Sequence, residues 1–465
     1  RIGVALSERG IGRGDAVLVL LKNRPELLFL QSGLGRIGAA AVTVSWRSTP
    51  SELSYLANHS GAKAVFFDAD VVDAVREAMP SLKTVQKDAF FAVGGAPEGF
   101  TTFDELVATA HGLPPDGSDD AAVVSYTSGT TGKPKGAVRK FPNEAVASAF
   151  AFIGETPLAP GDVHLAVCPL YHATAFGFVA LSFILGARVV ILDDFKPETF
   201  LEAIARYRVT TTAMVPTMIH RLLELGEERI RAYDTSSLRA IFSGGAPLPG
   251  PLALEAMNML GDKLYNFYGA TETGLVTLAK PEDLRRSPGT IGRAVPGSEI
   301  RLLDEAGNDC KDGEVGELYV RSALLVEGYH ADDEATQQSM REGFFSVGDL
   351  VRRDERGCYH IEGRKRDMVI SGGVNVYPAE VEAAIEAHPA VAETSVIGVP
   401  DREWGERIRA FVVLRPNMEC DASALKAHCR ERLAGPKVPR DFVFLEVLPR
   451  NPTGKVLKRE LRELG

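Results

Sequence analysis

Apolar and polar positions alternate with two different periods along the first half of the chain. Residues 16–21 form a short apolar run typical of a buried strand, and residues 25–37 carry apolar side chains at helical spacing. A capping box from Thr49 to Glu52 predicts the start of the next helix. Further strands are predicted at 41–44, 64–67, 188–192, 210–214 and 240–243, and further helices at 197–207 and 216–225. This alternation indicates an α/β protein with helix-covered, mostly parallel sheets.

Residues 165–187 contain no Asp, Glu, Lys or Arg and are long enough to span a bilayer. Pro169, Tyr171, His172 and Thr174 interrupt the apolar character, and a β-branched run follows at 189–191. A buried helix that leads into a buried strand explains this pattern better than a membrane span. We therefore expect no stable membrane insertion.

The pattern changes twice in the second half of the chain. Residues 300–353 contain short strands, such as 317–320, and Gly-rich turns, which indicates a smaller antiparallel, barrel-like region. About the last hundred residues predict a small α+β unit, with a helix from Pro378, a helix at 422–433, and strands at 395–399, 408–414 and 442–445. Charged residues followed by paired glycine at 363–375 are typical of a linker between the two parts.

The composition narrows the class of protein. A chain of 465 residues predicts at least two domains. A net charge of −10 argues against nucleic-acid and anionic-membrane partners, although a locally basic loop can still bind a nucleotide. The five cysteines form no Cys-x-x-Cys pair, which disfavours zinc and disulfides and favours a reducing, cytoplasmic location. Helical spacing is already present at Ile2 and Leu6, so we expect the natural chain to begin before Arg1, and a removed targeting segment stays open.

The stretch SYTSGTTGKPKGAV at 125–138 concentrates hydroxyls, glycines and lysines after an apolar run. Glycines let backbone N–H groups face a ligand, hydroxyls donate to phosphate oxygens, and lysines add positive charge. These groups favour a polyphosphate, and a flexible surface loop is the alternative. The spacing is not that of a P-loop, because Pro134 follows Gly132-Lys133 where Ser or Thr is required. The candidate phosphate-binding residues are Thr127, Ser128, Gly129, Thr130, Thr131 and Lys135.

Four further motifs follow this loop in a fixed order. They are YNFYGATETG at 265–274, FSVGDLVRRD at 345–354, GRKRDMVISGGVNVYPAEVE at 363–382 and RNPTGKVLKREL at 450–461. Together the five motifs resemble those of the adenylate-forming superfamily of acyl-CoA synthetases, peptide-synthetase adenylation domains and beetle luciferases, and most of all its acyl-CoA synthetase branch. The resemblance covers nearly the whole chain. It implies an enzyme that uses ATP, magnesium and coenzyme A with a small-molecule carboxylic acid, as a monomer or homodimer.

The second and third motifs suit a nucleotide. Tyr268 offers a flat face on which the resemblance places adenine, although a tyrosine is also an ordinary core residue. Thr271 offers a hydroxyl to phosphate and Glu272 a hard oxygen ligand to magnesium, where a solvated glutamate would otherwise be ordinary. The resemblance further implies that Asp349 and Arg364 contact the ribose.

Two more segments gain a role from the resemblance. Gly245 and Ala246, in SGGAPLP, match the family loop that lies between the adenine and the acyl group. Lys455 matches the family's catalytic lysine, which would neutralise the substrate carboxylate and the α-phosphate together. With Thr271 and Glu272, Lys455 completes the predicted catalytic set.

The resemblance also implies a two-step reaction with a moving C-terminal domain. The acid and ATP form an acyl-adenylate with release of pyrophosphate, and coenzyme A then displaces AMP. Arg366 stands at the family's hinge position, and Gly372 and Gly373 would lie near the channel for the pantetheine of coenzyme A. We therefore predict a large N-terminal domain at 1–363, a hinge at 364–366 and a small mobile C-terminal domain at 367–465.

The segment YHATAFG at 171–177 is where the family binds the acyl group. It contains no carboxylate, which disfavours α-amino acids because their ammonium would be buried without a partner. It contains no arginine for a second carboxylate, which weakens malonate-like acids. Small side chains leave room for a bulky apolar tail, so a fatty acid is expected first and an aryl acid second. The candidate acyl-binding residues are His172, Ala173, Gly177, Gly245 and Ala270.

Three other functions stay open at this level. An adenylating enzyme could load a carrier protein, and it would act in trans because no phosphopantetheine serine motif follows Gly465. A luciferase-like oxidation fits the same motifs. A nucleotide-binding protein without catalysis is disfavoured, because Lys455, Glu272 and Asp349 are all present.

Overall fold

The computed structural model describes residues 1–113, 122–127, 135–140, 143–371, 374–402, 404–450 and 456–464. The described residues form two mainly parallel sheets, an antiparallel sheet and a smaller C-terminal α+β unit. This is the predicted class of α/β protein. Central parallel strands are buried on both faces, as strand Ala16–Leu20 illustrates with every residue buried. The strand Arg188–Ile191, expected to be buried, lies at a sheet edge and has no buried residue.

The first sheet is parallel except at one edge, where two strands run antiparallel to their neighbours. Its described strands lie in the spatial order Gly328–Tyr329, Lys135–Lys140, Ala122–Thr127, Ala40–Thr43, Ala16–Leu20, Ala62–Asp68, Phe90–Val93 and Thr101–Thr102. The helices of this region are Ile2–Ser7, Pro25–Arg36, Pro50–Ser60, Val72–Ala78 and Phe103–Ala108, with 3-10 turns at Ala69–Val71 and Met79–Ser81.

The second sheet has the same plan, with parallel central strands and an antiparallel edge. Its described strands lie in the order Arg293–Ala294, Gly274–Ala279, Leu264–Ala270, Ala240–Ser243, Thr211–Met214, Val163–Ala166 and Arg188–Ile191. Its helices are Asn143–Gly154, Ala173–Ile184, Pro197–Tyr207, Pro216–Leu223, Glu227–Arg231, Gly250–Leu260 and Pro281–Arg286.

The third sheet is antiparallel, as predicted for residues 300–353. Its described strands lie in the order Met340–Arg341, Phe344–Phe345, Val315–Arg321, Asp349–Arg353 and Tyr359–Arg364, with Glu299–Leu303 also paired to Val315–Arg321 and the helix Asp333–Ser339 beside them. The 3-10 turn Lys365–Asp367 leads from this sheet to the C-terminal unit.

The C-terminal unit contains a mixed sheet with helices packed on it, which confirms the predicted α+β character. Its described strands are Val374–Val376, Val369–Ser371, Gly405–Leu414, Val391–Asp401 and Asp441–Phe444. Its described helices are Pro378–Glu386, Ala422–Arg430 and Lys458–Glu463, with a 3-10 turn at Gly435–Lys437. The second helix is shorter than predicted, since it ends at Arg430.

Local signals placed several elements correctly. The capping box is present: the Thr49 hydroxyl accepts from the Glu52 N–H at 3.3 Å, and the Thr49 N–H donates to the Glu52 carboxylate at 2.7 Å.

The charge-free stretch 165–187 is only partly as predicted. It begins within the strand Val163–Ala166, which was missed, and only then continues as the helix Ala173–Ile184. Among the described residues no helix is both long and apolar enough to cross a membrane.

The parallel strands place several predicted site residues at one edge. The strand Ala240–Ser243 ends just before Gly245 and Ala246, and the strand Leu264–Ala270 carries Tyr268. Ligands of open α/β sheets bind beyond the carboxyl ends of parallel strands. The fold therefore directs these residues to a common opening.

Candidate active site

A cleft of about 1660 Å³ runs from the second sheet past the third sheet to the C-terminal unit. The predicted site residues that line it are Lys135, His172, Ala173, Gly177, Gly245, Ala246, Tyr268, Ala270, Thr271, Glu272, Asp349, Arg364 and Arg366. Ser128, Gly129, Thr130, Thr131, Gly372, Gly373, Lys455 and the side chain of Thr127 lie outside the described residues. Residues far apart in sequence thus face one cavity.

Buried Tyr268 and Asp349 form a cluster with half-buried Arg364 on one wall of the cleft. The Tyr268 hydroxyl donates to Asp349 Oδ2 at 2.7 Å, and Arg364 Nε lies 3.0 Å from Asp349 Oδ1. Asp349 and Arg364 face each other across neighbouring antiparallel strands. Burial, and then the negative charge of Asp349, raise the pKa of Tyr268 well above its ordinary value, so the phenol stays a donor. Each carboxylate oxygen of Asp349 can still accept a further hydrogen bond.

A tight turn next to this cluster carries Thr271 and Glu272. The Thr273 hydroxyl accepts from the Ala270 N–H at 3.0 Å, which closes the turn. At Gly269 an added Cβ would lie 2.0 Å from the carbonyl oxygen of Gly274, because the two strands leading into the turn approach closely. Only glycine fits there without moving the backbone.

Glu272 is buried, with 7% of its surface exposed, and the phenol of Tyr329 donates to its Oε1 at 3.1 Å. The guanidinium of Arg139 stabilises the same turn, because it donates to the carbonyl oxygens of Thr271 and Leu324. Burial lowers the pKa of Arg139 to about 10, and the nearby Glu272 charge opposes this shift. Sequence reasoning missed both Arg139 and Tyr329. The available signal for Arg139 was a charge directly after the short apolar run at 136–138.

Lys135 makes contacts that the sequence did not predict. Its ammonium lies 3.1 Å from Asp332 Oδ2 and 5.1 Å from the centre of the Tyr329 ring. Asp332 also caps the helix Asp333–Ser339 by accepting from the Ala335 N–H, and that bond together with Lys135 lowers the pKa of Asp332. The lysine is therefore held at the cleft wall by an acidic and an aromatic partner.

The predicted acyl region lies at the start of the helix Ala173–Ile184. His172 precedes this helix, and its Nε2 is buried with no hydrogen-bond partner among the described residues. Burial lowers the pKa of His172 to about 4, so the ring is neutral near pH 7. An added Cβ at Gly177 would meet no atom within 4 Å, and Gly245 adopts the left-handed conformation with φ of 79°. Gly177 therefore faces open space in the cleft, whereas a Cβ at Gly245 would contact Val215 at 3.7 Å.

The C-terminal unit contributes ion pairs on either side of the segment that contains Lys455. Arg450 Nη2 lies 2.8 Å from Glu393 Oε2, and Lys458 Nζ lies 2.9 Å from Glu382 Oε1. The backbones of Arg450 and Val456 also pair as an isolated antiparallel bridge. Both ends of the segment are thereby fixed to the same unit.

Arg366 lies in the short 3-10 turn between the third sheet and the C-terminal unit. Burial, and then the positive charge of Arg364, lower the pKa of Arg366. The Lys365 N–H donates to the Gly348 carbonyl at 2.8 Å, and Arg462 pairs with Asp367 at 3.1 Å. The predicted hinge position thus has contacts with both sides.

The cleft lies at the edge of a sheet with parallel strands, where such sheets bind ligands, and it joins Tyr268, Asp349 and Glu272. Residues 1–330 match the model of the AMP-binding enzyme family, and residues 380–455 match the AMP-binding enzyme C-terminal domain. The chain therefore belongs to the AMP-binding enzyme family, on its acyl-CoA synthetase branch. It is an acid–thiol ligase, and the family supports ATP and coenzyme A as its substrates.

Named relatives show the range of this branch. The chain is 36% identical over 465 residues to the 2-succinylbenzoate–CoA ligase of Geobacillus kaustophilus, covering 99% of this chain and 90% of the relative. It is 34% identical to the long-chain-fatty-acid–CoA ligase FadD13 of Mycobacterium tuberculosis, with coverage of 100% and 90%. The structure of the Bacillus subtilis o-succinylbenzoate CoA synthetase with its acyl-adenylate intermediate matches with a TM-score of 0.87 at 30% identity, covering 99% and 90% of the two chains.

Proposed function

We propose that this ligase activates an uncharged apolar carboxylic acid as its acyl-adenylate and then transfers the acyl group to coenzyme A. The observation that carries the proposal is the single cleft that joins the Tyr268–Asp349–Arg364 cluster, the Glu272 turn and the small residues near His172. A nucleotide, its phosphates and an acid can lie side by side in such a cleft.

The nucleoside of ATP binds at the aromatic and acidic cluster. The ring of Tyr268 offers a stacking face for adenine, while its hydroxyl is already donated to Asp349. Asp349 accepts from the ribose hydroxyls with its remaining lone pairs, and Arg364 keeps this carboxylate charged and oriented. Thr271, Gly245 and Ala246 line the same cleft and would lie between the nucleoside and the phosphates.

Glu272 would hold magnesium that arrives with ATP. The carboxylate fits this role, because it is a buried hard-oxygen ligand at the cleft and accepts a hydrogen bond from Tyr329. Among the described residues no cluster of three or more His, Cys, Asp and Glu side chains could hold a metal by itself. Magnesium commonly binds through one or two carboxylates together with substrate phosphates, and it would supply charge neutralisation there.

The reaction needs no covalent enzyme intermediate. An oxygen of the substrate carboxylate attacks the α-phosphorus of ATP, and the bond to pyrophosphate breaks. The thiolate sulfur of coenzyme A then attacks the acyl carbonyl, and AMP leaves with the bonding electrons. Lys455 would reduce the repulsion between the two anions in the first step. Arg366 would be the hinge between a domain at 1–363 and a mobile domain at 367–465, with Gly372 and Gly373 beside the pantetheine.

The acyl part of the cleft supports an apolar acid. Ala173, Gly177 and Ala270 line it, and the neutral ring of His172 adds no charge. The guanidinium of Arg139 also lines the cleft, and it donates to two backbone carbonyls on the Glu272 side of the cleft. We propose a fatty acid first and an aryl acid second. Each buried methylene should add at most about 0.8 kcal/mol of binding.

Separate assays of the two half-reactions test the proposal. Lys455→Ala should abolish pyrophosphate release, and it should largely spare thioester formation from a synthetic acyl-adenylate. Arg366→Pro should do the reverse, because proline fixes one backbone dihedral of the hinge. The control is Lys87→Ala, which changes an exposed lysine. If either variant lowers both half-reactions equally, the two-conformation mechanism is wrong.

A panel of acids and acceptors tests the substrate. Acids from acetate to long-chain fatty acids and substituted benzoates are compared by kcat/KM, with coenzyme A or an acyl carrier protein as acceptor. A preference for acetate, a dicarboxylate or an α-amino acid would contradict the apolar pocket. A preference for the carrier protein would show that the acceptor is the carrier protein and not coenzyme A.

A further inference from the structure

Tyr329 lies at the junction of the two parallel sheets. The strand Gly328–Tyr329 pairs with the strand Lys135–Lys140 at the edge of the first sheet. Its side chain extends from there to Glu272, in a turn of the second sheet, 57 positions away in sequence. The Tyr329 residue therefore connects the strand Lys135–Lys140, which begins within the phosphate-loop motif, to the Glu272 carboxylate.

The backbone around Tyr329 is held from several sides. Its N–H donates to the Thr336 hydroxyl at 2.9 Å, and the next N–H, of His330, donates to the Gly136 carbonyl at 2.7 Å. The Val326 N–H donates to the Glu272 carbonyl at 2.9 Å. These bonds fix the backbone from which the phenol reaches the carboxylate.

The Tyr329 side chain contacts two predicted site residues, Glu272 and Lys135. Its hydroxyl donates to Glu272 Oε1 at 3.1 Å, and the Lys135 ammonium lies 5.1 Å from its ring centre. A cation over an aromatic face is attracted by the ring quadrupole.

We propose that Tyr329 is a positioning residue that orients the Glu272 carboxylate for a nucleotide-bound divalent cation and holds the Lys135 ammonium beside the same site. The inference rests on the proposed function, in which Glu272 takes that cation. Tyr329 acts through Glu272 and Lys135 and need not touch the reacting atoms. Outer-shell donors of this kind orient metal ligands, and their loss commonly lowers metal affinity about 10- to 100-fold.

The test measures binding without turnover. Calorimetry follows α,β-methylene-ATP, an analogue that resists pyrophosphate release, over a series of magnesium concentrations. Tyr329→Phe should raise the magnesium concentration for half-maximal analogue binding about tenfold or more. Binding of the analogue without magnesium should change little. The matched control is Tyr265→Phe, which removes a hydroxyl from the strand Leu264–Ala270.

A double-mutant cycle with Glu272→Gln shows whether Tyr329 acts through this carboxylate. Glu272→Gln alone should weaken the magnesium dependence, and adding Tyr329→Phe should then have no further effect. Phenylalanine keeps the ring that packs at 6.0 Å from Phe345 and under Lys135, and melting temperatures check the fold. If Tyr329→Phe melts lower than the parent, the binding series is run below the melting range of both proteins, and analogue binding without magnesium checks that the site is intact.

The outcomes separate the two levels of inference. If Glu272→Gln shifts the magnesium dependence and Tyr329→Phe does not, the positioning role of Tyr329 is wrong and the proposed function stands. Fully additive effects in the cycle would likewise overturn the role. If Glu272→Gln leaves the magnesium dependence unchanged, the cation site itself is wrong, and the inference falls with it.

Discussion

Glu386 offers a direct test of the electrostatics of the C-terminal unit. It lines the cleft at the end of its helix, and its carboxyl lies near the carboxylates of Glu382 and Glu393. Burial, and then these two charges, raise the pKa of Glu386 to about 8, while the Thr394 N–H and Arg450 oppose the shift. Glu386→Gln should therefore make the protein more stable than the parent at alkaline pH.

The sign and size follow from proton linkage. The pKa of Glu386 is about 8 in the folded protein and 4.5 ordinarily, so between these values the folded state holds a proton that the unfolded state has lost. Its contribution to stability is complete below pH 4.5 and is lost as the pH rises through 8. One pKa unit corresponds to about 1.36 kcal/mol, so this carboxyl removes at most about 3 kcal/mol between pH 6 and pH 9.

The assay compares the parent with Glu386→Gln, so that every other titrating group is common to both proteins. Urea unfolding at pH 6 and pH 9, followed by circular dichroism, gives the two free energies of unfolding. The parent should lose up to about 3 kcal/mol more than the variant over this range. Glu419→Gln, at an exposed site of the same unit, should behave as the parent does. Equal pH dependence of the parent and Glu386→Gln would refute the reasoning.

Three further substitutions test the packing around the site, each by urea unfolding. Gly269→Ala should lower the free energy of unfolding by about 1–3 kcal/mol, because the added Cβ would lie 2.0 Å from the Gly274 carbonyl oxygen. It should also weaken nucleotide-analogue binding, and unchanged binding would contradict this prediction. Thr49→Ala should lower stability by about 1 kcal/mol by removing the cap shared with Glu52, and no loss would show that the capping box is unimportant. Asn23→Leu should lower stability by about 3 kcal/mol or more, since it leaves three backbone groups without their partner; a loss below about 1 kcal/mol would argue against those bonds.

Elements with strong local signals could be predicted from the sequence alone. The helix Pro197–Tyr207 and the strand Ala240–Ser243 lie where the pattern placed them, because proline at the start of a helix and a short β-branched and aromatic run are local signals. The strand Val163–Ala166 was missed, since its apolar residues merge with the charge-free stretch and periodicity cannot separate a buried strand from a buried helix.

The members of the site could also be named from motifs, but their partners could not. Tyr268 and Asp349 belong to separate motifs, and their hydrogen bond across 81 positions depends on how the second and third sheets pack. Arg139 and Tyr329 reach the Thr271–Glu272 turn across 132 and 57 positions. Hydrophobic period and turn residues determine each strand, whereas strand order and sheet packing determine which side chains meet. The raised pKa of Glu386 arises in the same way, because burial and the nearby charges of Glu382 and Glu393 exist only after the chain has folded.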